Sequence, residues 1–123
     1  MTEYLNQSVK IFNDIADGQD GTIMLDFSAL PSFGFFVGGV GQPLVFGSAQ
    51  EANTSQALRR ITEFVGSTEA LFVGWWTDSA DGKVYVDGSE WYPDVDKAQR
   101  AAEERGEIAF WDIASASEIR TEG

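Results

Sequence analysis

The sequence predicts an α+β fold in which a mainly antiparallel sheet of about five or six strands carries helices on one face. Short apolar runs are separated by turn residues at close intervals, as in successive hairpins. Three other segments place apolar residues at helical spacing. Hairpins followed by helices favour an antiparallel sheet covered on one side. At 123 residues, the chain fits one domain spanning residues 1–123.

Three segments are predicted to be helical. They are residues 3–17, a middle helix that ends at Gly66, and a third helix that begins at Pro93 and Asp94 and ends at Gly106. The start of the middle helix stays open between a capping box formed by Ser48 with Glu51 and a later start at Thr54.

The predicted strands alternate with Gly-, Pro- and Asp-rich turns. They are residues 21–27, 33–40, 44–47, 70–78, 83–89 and 107–113. Gly41 to Pro43 is expected to join the second and third strands in a hairpin, and the turn 79–82 to join the fourth and fifth. The polar tail from Ala114 is expected to fray.

Two parts of the chain follow the same strand-strand-helix order. FVGG and LVFGS precede one helix, and FVGW and VYVDGS precede the next. An internal duplication of residues 33–66 and 70–113 explains this likeness, and so does chance similarity of two motifs rich in Gly and Val. The sequence leaves both explanations open, although each predicts tandem ββα units.

The composition excludes several classes of function. Twenty acidic against eight basic residues give a net charge of −12, which repels nucleic acid and anionic membranes. The chain has neither Cys nor His, so disulfides and thiolate metal sites are excluded and the commonest general base is missing. The first residues lack a long apolar run, so we expect neither a signal peptide nor a membrane span. We therefore expect a cytoplasmic protein.

Aromatic residues occur as adjacent pairs at three places, namely Trp75-Trp76, Trp91-Tyr92 and Phe110-Trp111. Neighbours on a strand point to opposite faces, so both faces of this sheet region must hold aromatic side chains. In one interpretation the strand 70–78 is central and both faces are covered, by helices on one face and by a loop, the N-terminal helix or a second subunit on the other. In the other, one face is an exposed aromatic patch suited to a protein interface.

Eight carboxylates lie between Glu63 and Asp96, and Lys83 is the single base among them. Charge runs are usually solvated faces. The local imbalance nevertheless favours a cationic partner, and carboxylates two apart on a strand lie roughly 6–7 Å apart, close to the spacing of successive phosphates. The predicted partner-binding residues are Asp78, Asp81, Asp87, Glu90, Trp91, Asp94 and Asp96.

Other kinds of site are disfavoured. Asp78 to Gly82 lacks the ligand order of a calcium loop, and Gly38 to Gly41 lacks the Lys-Ser/Thr of a phosphate loop. We therefore predict no metal and no cofactor. Paired carboxylates are used in glycoside hydrolysis, but Asp87 and Glu90 are the only pair that merits consideration. We predict that the protein is not an enzyme.

The last third of the chain resembles small uncharacterised acidic proteins of actinobacterial phages and their hosts. The matching residues are Gly74, Trp75, Asp81, Gly82, Tyr85, Asp87, Ser89, Ala98, Ala102, Ala109 and Asp112. The resemblance implies a phage or mobile-element setting, and hence the cytoplasm of a bacterial host. The family has no established activity, so nothing catalytic is carried over from it. By analogy alone, the sheet, hairpin and acidic helix also resemble acidic antirestriction proteins that imitate DNA.

These observations lead to a hypothesis of a phage-encoded, non-enzymatic inhibitor. It would occupy the basic groove of a bacterial defence nuclease, such as a CRISPR or restriction complex, without binding nucleic acid or membrane directly. Neutralising Asp87, Glu90, Asp94 and Asp96 together is expected to weaken such binding without unfolding the domain. The alternative is a structural or assembly protein that forms a homodimer or larger oligomer through an aromatic sheet face.

Overall fold

The structure is a computed structural model that describes residues 5–121 and contains three helices and seven strands in that range. In chain order the elements are α1 Leu5–Ala16, β1 Gly21–Met24, β2 Phe35–Val37, β3 Leu44–Phe46, α2 Ser55–Ser67, β4 Phe72–Thr77, β5 Val84–Tyr92, α3 Val95–Glu104, β6 Ala109–Asp112 and β7 Ser117–Arg120. The predicted α+β class is confirmed, with seven strands instead of five or six.

All the described strands join in one open antiparallel sheet. Its order is β1-β4-β5-β2-β6-β7, and β3 also pairs with β5. The hairpin of β4 and β5 is confirmed, with Phe72 opposite Ser89 and Thr77 opposite Val84. The strand β4 is central, between β1 and β5.

The hairpin predicted between β2 and β3 is wrong. Both strands pair with β5 instead: β2 along residues 90–92 and β3 along residues 84–86. Between them the Val40 amide donates to the Gly88 carbonyl at 3.2 Å, so the intervening segment also follows β5. Turn residues at 41–43 therefore connect two partners of one strand. Of the two predicted ββα units, only the second therefore contains the expected hairpin. The internal duplication stays a prediction.

The helices pack on one face of the sheet, over two apolar cores. α1 and α2 cover the larger core, which includes Ile11, Ile61, Val73, Trp75, Val84 and Val86. α3 covers the smaller core, which includes Val37, Ala98, Ala102 and Phe110, with Tyr92 and Ile119 packed against it. The small Ala side chains allow α3 to lie close to the strands. Because β5 contributes residues to both cores, it connects the two parts of the domain.

Local capping decides where α2 begins. The Thr54 hydroxyl accepts a hydrogen bond from the Ala57 amide, which makes Thr54 the N-cap. The Ser48 hydroxyl does accept from the Glu51 amide, but this bond stabilises a turn that precedes the helix. The later of the two predicted starts is therefore the observed one.

The prediction of a frayed tail is wrong, because β7 pairs along β6 in an antiparallel hairpin. Ile119 lies opposite Phe110 and packs on the smaller core. One apolar residue in a polar segment is enough to give this strand a buried side. The strand predicted over 21–27 is shorter than expected, since it ends at Met24 in a turn where Phe27 has a φ of 61°.

No helix within residues 5–121 has the length and apolar character that a bilayer-spanning segment needs.

Candidate functional site

One face of the sheet is opposite the three helices, and we call it the open sheet face. Side chains alternate along each strand, so the strand residues between those of the two cores point to this face. It includes Phe36, Phe72, Trp76, Tyr85, Asp87, Trp91 and Trp111. Most of the aromatic residues outside the cores therefore lie on one side of the molecule.

Exposure confirms the alternation for two of the three aromatic pairs. Trp75 is 2% exposed whereas Trp76 is 44% exposed, and Phe110 is 4% exposed whereas Trp111 is 44% exposed. Trp76 stacks on Tyr85, with ring centroids 4.6 Å apart and planes 13° apart. The end of the sheet nearest the β4–β5 turn thus presents a stacked, exposed aromatic pair.

The middle of the open sheet face is more covered. Phe36 and Phe72 are each 7% exposed and lie with their ring centroids 5.0 Å apart. The Trp91 indole nitrogen donates to the Phe33 carbonyl at 2.8 Å, and the Phe33 ring packs edge-on against Trp91 at 5.4 Å. The loop before β2 therefore covers the face here, so each of the two interpretations of the aromatic pairs describes part of it. Trp91 is held by that loop, and Phe33 is the exposed member of the pair.

Of the predicted partner-binding residues, Asp78 and Asp81 lie together at the β4–β5 turn. The Asp78 carboxylate accepts from the Ala80 amide at 2.8 Å, and the Asp81 carboxylate accepts from the Lys83 amide at 3.0 Å. Each side chain stabilises the turn through one oxygen and leaves the rest of the carboxylate toward solvent. They form an acidic tip beside the aromatic stack.

Asp94 and Asp96 lie at the opposite end of β5, where α3 begins. The Asp94 carboxylate caps the helix by accepting from the Asp96 amide at 3.2 Å. Both charges stabilise the helix N-terminus, where backbone N–H groups are unpaired. The nine residues of β5 separate this pair from the acidic tip by roughly 27 Å. The predicted set thus extends along one strand and does not form one cluster.

Glu90 faces the helices and is neutralised by Arg105 at the end of α3. One guanidinium nitrogen of Arg105 donates to Glu90, and the other donates to the carbonyls of Val37 and Gly38 at 3.3 and 3.2 Å. A 2.5 Å hydrogen bond from the Tyr92 hydroxyl, together with the one from Arg105, holds the pKa of Glu90 below its ordinary value. We call this set the Arg105 clasp. Glu90 acts within it, and sequence reasoning did not identify its partner.

Asp87 lies in the middle of the open sheet face beside Glu107, a residue that sequence reasoning missed. The Asp87 carboxylate accepts from the Gly39 amide at 3.0 Å. A methyl group added at Gly38 would lie 2.5 Å from Asp87 Oδ2 and 3.2 Å from Glu107 Oε1, so the two carboxylates meet over this glycine. Burial raises the pKa of Asp87, and burial together with the Asp87 charge raises that of Glu107. The Gly38-Gly39 pair was the sequence signal for this close approach.

In the described part of the chain, no third acidic side chain joins Asp87 and Glu107 to complete a metal site. Among residues 5–121, no group of three or more acidic side chains is arranged to hold a metal ion.

Negative charge is distributed unevenly between the helices and the other described residues. The three helices carry five acids, Asp14, Glu63, Asp96, Glu103 and Glu104, and five bases, Lys10, Arg59, Arg60, Lys97 and Arg100. The described strands and connecting segments carry three bases, Lys83, Arg105 and Arg120, and thirteen acids, Asp17, Asp20, Asp26, Glu51, Glu69, Asp78, Asp81, Asp87, Glu90, Asp94, Glu107, Asp112 and Glu118. The helical layer is therefore neutral, and the excess negative charge lies on the strands and, mostly, on the connecting segments.

Comparison with protein-family models, with curated proteins and with solved structures finds no match to this chain. The fold and the site define its class as a small acidic α+β domain with an open, aromatic sheet face.

Proposed function

We propose that this chain is a non-enzymatic binding protein that inhibits or modulates a bacterial nucleic-acid-binding machine. Its target would be a defence nuclease, such as a CRISPR or restriction complex, whose basic groove it occupies. The carrying observation is the distribution of charge: the helices are neutral, whereas the described strands and connecting segments carry thirteen acids against three bases. The phage origin suggested by the sequence resemblance belongs to the same proposal.

The physical argument concerns the cost of unrelieved repulsion. Like charges that are not paired within the chain oppose the compact state, and a cationic groove removes that penalty on binding. Such grooves are built to neutralise phosphates, so they bind carboxylates by the same salt-sensitive attraction. The aromatic stack of Trp76 on Tyr85, beside the acidic tip, would add apolar contact area within the interface.

The structure refines the variant that tests this proposal. Glu90 belongs to the Arg105 clasp and Asp87 is half-buried, so changing them would alter the fold together with the charge. Replacing Asp78, Asp81 and Asp94 with Asn removes three charges and keeps a side-chain oxygen for each turn or cap amide.

A matched control lies in the helical layer. Replacing Glu63, Glu103 and Glu104 with Gln removes the same charge from exposed helix positions. The assay measures DNA binding by a purified CRISPR effector and by a purified restriction enzyme while each variant is added, at low and at high salt. Capture from host lysate identifies further candidates for the same assay.

We expect the natural chain and the Gln control to displace DNA from a target at low salt, and the Asn variant to do so at least tenfold less well, since each lost ion pair contributes up to about 1 kcal/mol. Equal potency of the Asn variant and the Gln control would contradict the proposal, as would displacement that does not weaken with salt.

Homo-oligomer assembly through the open sheet face is the second candidate function. Trp76 and Trp111 favour it, because both are 44% exposed on the same face. The net charge of −12 disfavours it, since two copies would bring like charges together. Size measurement over a range of concentrations separates the two candidate functions. A dimer that persists at low salt and dissociates on Trp111→Ala would favour assembly.

A further inference from the structure

The aromatic stack at the end of the open sheet face has an acidic neighbour on its free side. Tyr85 lies against one side of Trp76. On the other side, β1 pairs with β4 so that Gly21 lies opposite Trp75, and Asp20 continues this register opposite Trp76. The Asp20 carboxylate accepts from the Thr77 amide at 3.3 Å, which holds it against the β4 backbone at the residue that follows Trp76. Trp76 thus has an aromatic ring against it from β5, and an acidic residue lies opposite it on the side of β1.

We propose that Trp76, Tyr85 and Asp20 form a binding site for an arginine side chain of a basic partner protein. The guanidinium would stack on the exposed indole while its N–H groups pair with the Asp20 carboxylate. This inference rests on the proposed function, which supplies a positively charged partner. It adds which side chain of that partner is recognised.

The chemistry favours arginine over lysine. A guanidinium is planar, stacks on aromatic faces and donates two parallel hydrogen bonds to one carboxylate, whereas an ammonium is a compact, strongly hydrated charge. The stack and the neighbouring carboxylate together offer both of the contacts that a guanidinium can make at once.

Charge complementarity also supports a cationic occupant. The acidic tip of Asp78 and Asp81 is at the same end of the sheet, and Asp20 is exposed there as well. Lys83 is the one base in this group. An arginine that approaches Trp76 is therefore attracted by three carboxylates before it makes contact.

The test uses the full chain and two labelled peptides of equal length and charge, one rich in arginine and one rich in lysine. Fluorescence anisotropy measures their affinities. We expect the natural chain to bind the arginine peptide about fivefold more tightly. Trp76→Ala should remove this preference and weaken arginine-peptide binding about fivefold, and Asp20→Asn should weaken it severalfold while keeping the acceptor for the Thr77 amide.

Matched controls exist for both variants. Trp111 has the same exposure on the same face, so Trp111→Ala should bind within twofold of the natural chain. Glu63→Gln removes one exposed charge from the helical layer and should also be within twofold. Circular dichroism checks that each variant is folded. If Trp76→Ala does not fold, Asp20→Asn provides the test.

Three results would overturn the inference. They are equal affinities of the natural chain for the two peptides, no binding of either peptide, or Trp76→Ala behaving like Trp111→Ala. Equal affinities with strong salt dependence would leave the proposed function standing, because general attraction to a basic surface needs no arginine site. Failure of the proposed function would instead appear as unchanged DNA binding by every nuclease tested.

Discussion

Replacement of Arg105 by Met tests whether the Arg105 clasp stabilises the fold. Met keeps much of the side-chain length and removes the guanidinium. The carbonyls of Val37 and Gly38 would each lose a hydrogen bond, at about 1 kcal/mol apiece, and the half-exposed pair with Glu90 would contribute up to about 1 kcal/mol more. The free energy of unfolding should fall by about 2–3 kcal/mol. For a domain of this size the expected drop in Tm is roughly 8–12 °C.

Thermal unfolding followed by circular dichroism measures this change. Arg100→Met is the matched control, because Arg100 is exposed on the same helix, and it should change stability by about 0.5 kcal/mol or less. Arg105→Lys keeps the charge but lacks the planar fork that reaches separate acceptors, so most of the loss should remain. Equal melting temperatures for Arg105→Met and Arg100→Met would refute the reasoning. Full stability of Arg105→Lys would show that charge alone is sufficient.

Two further predictions concern the open sheet face and its covering loop. Asp87→Asn should raise stability at neutral pH, because burial raises the pKa of this carboxyl. The stability that a raised pKa confers is present below the ordinary carboxyl pKa and is lost as pH rises through the folded-state pKa. Urea unfolding between acid and neutral pH should therefore show a decline for the natural chain that is smaller in the Asn variant, and parallel pH profiles would contradict this. Gly34→Ala should cost more than about 2 kcal/mol, since φ is +90° and the new methyl would lie 2.5 Å from the Trp91 indole nitrogen. Gly41 has a φ of +76°, but a methyl group added there would have no atom within 4 Å. Denaturant titrations should therefore show a smaller loss of stability for Gly41→Ala than for Gly34→Ala, and equal losses would show that only the backbone conformation matters.

The elements that the sequence predicted well depend on local signals. Gly82 provides the positive φ of the β4–β5 turn, and Asp94 and Gly106 mark the two ends of α3. The pairing of β2 and β3 with β5 depends on distant residues. The turn residues Gly41 to Pro43 between β2 and β3 therefore led to the prediction of the wrong hairpin. The prediction of a frayed tail failed for a similar reason, because Ile119 has a buried partner only when Phe110 lies opposite it.

The same distinction applies to the site. Alternation along a strand is a local rule, and it correctly placed Trp75 and Trp76 on opposite faces, although which of them is buried depends on the packing of distant elements. The meeting of Glu90 with Arg105 requires the end of α3 to return to the sheet, which no spacing in the sequence encodes. Asp20 lies far from Trp76 in sequence and comes beside it only through the register of β1.

The nine-residue strand β5 has a consequence for how the domain loses its structure. It contributes Val84 and Val86 to the larger core, and Tyr92 packs against the smaller one. Detaching it would expose apolar surface under all three helices at once, so neither half keeps a complete interior by itself. The chain should therefore melt in a single cooperative step, and its amide protons along β5 should be among the last to exchange with solvent.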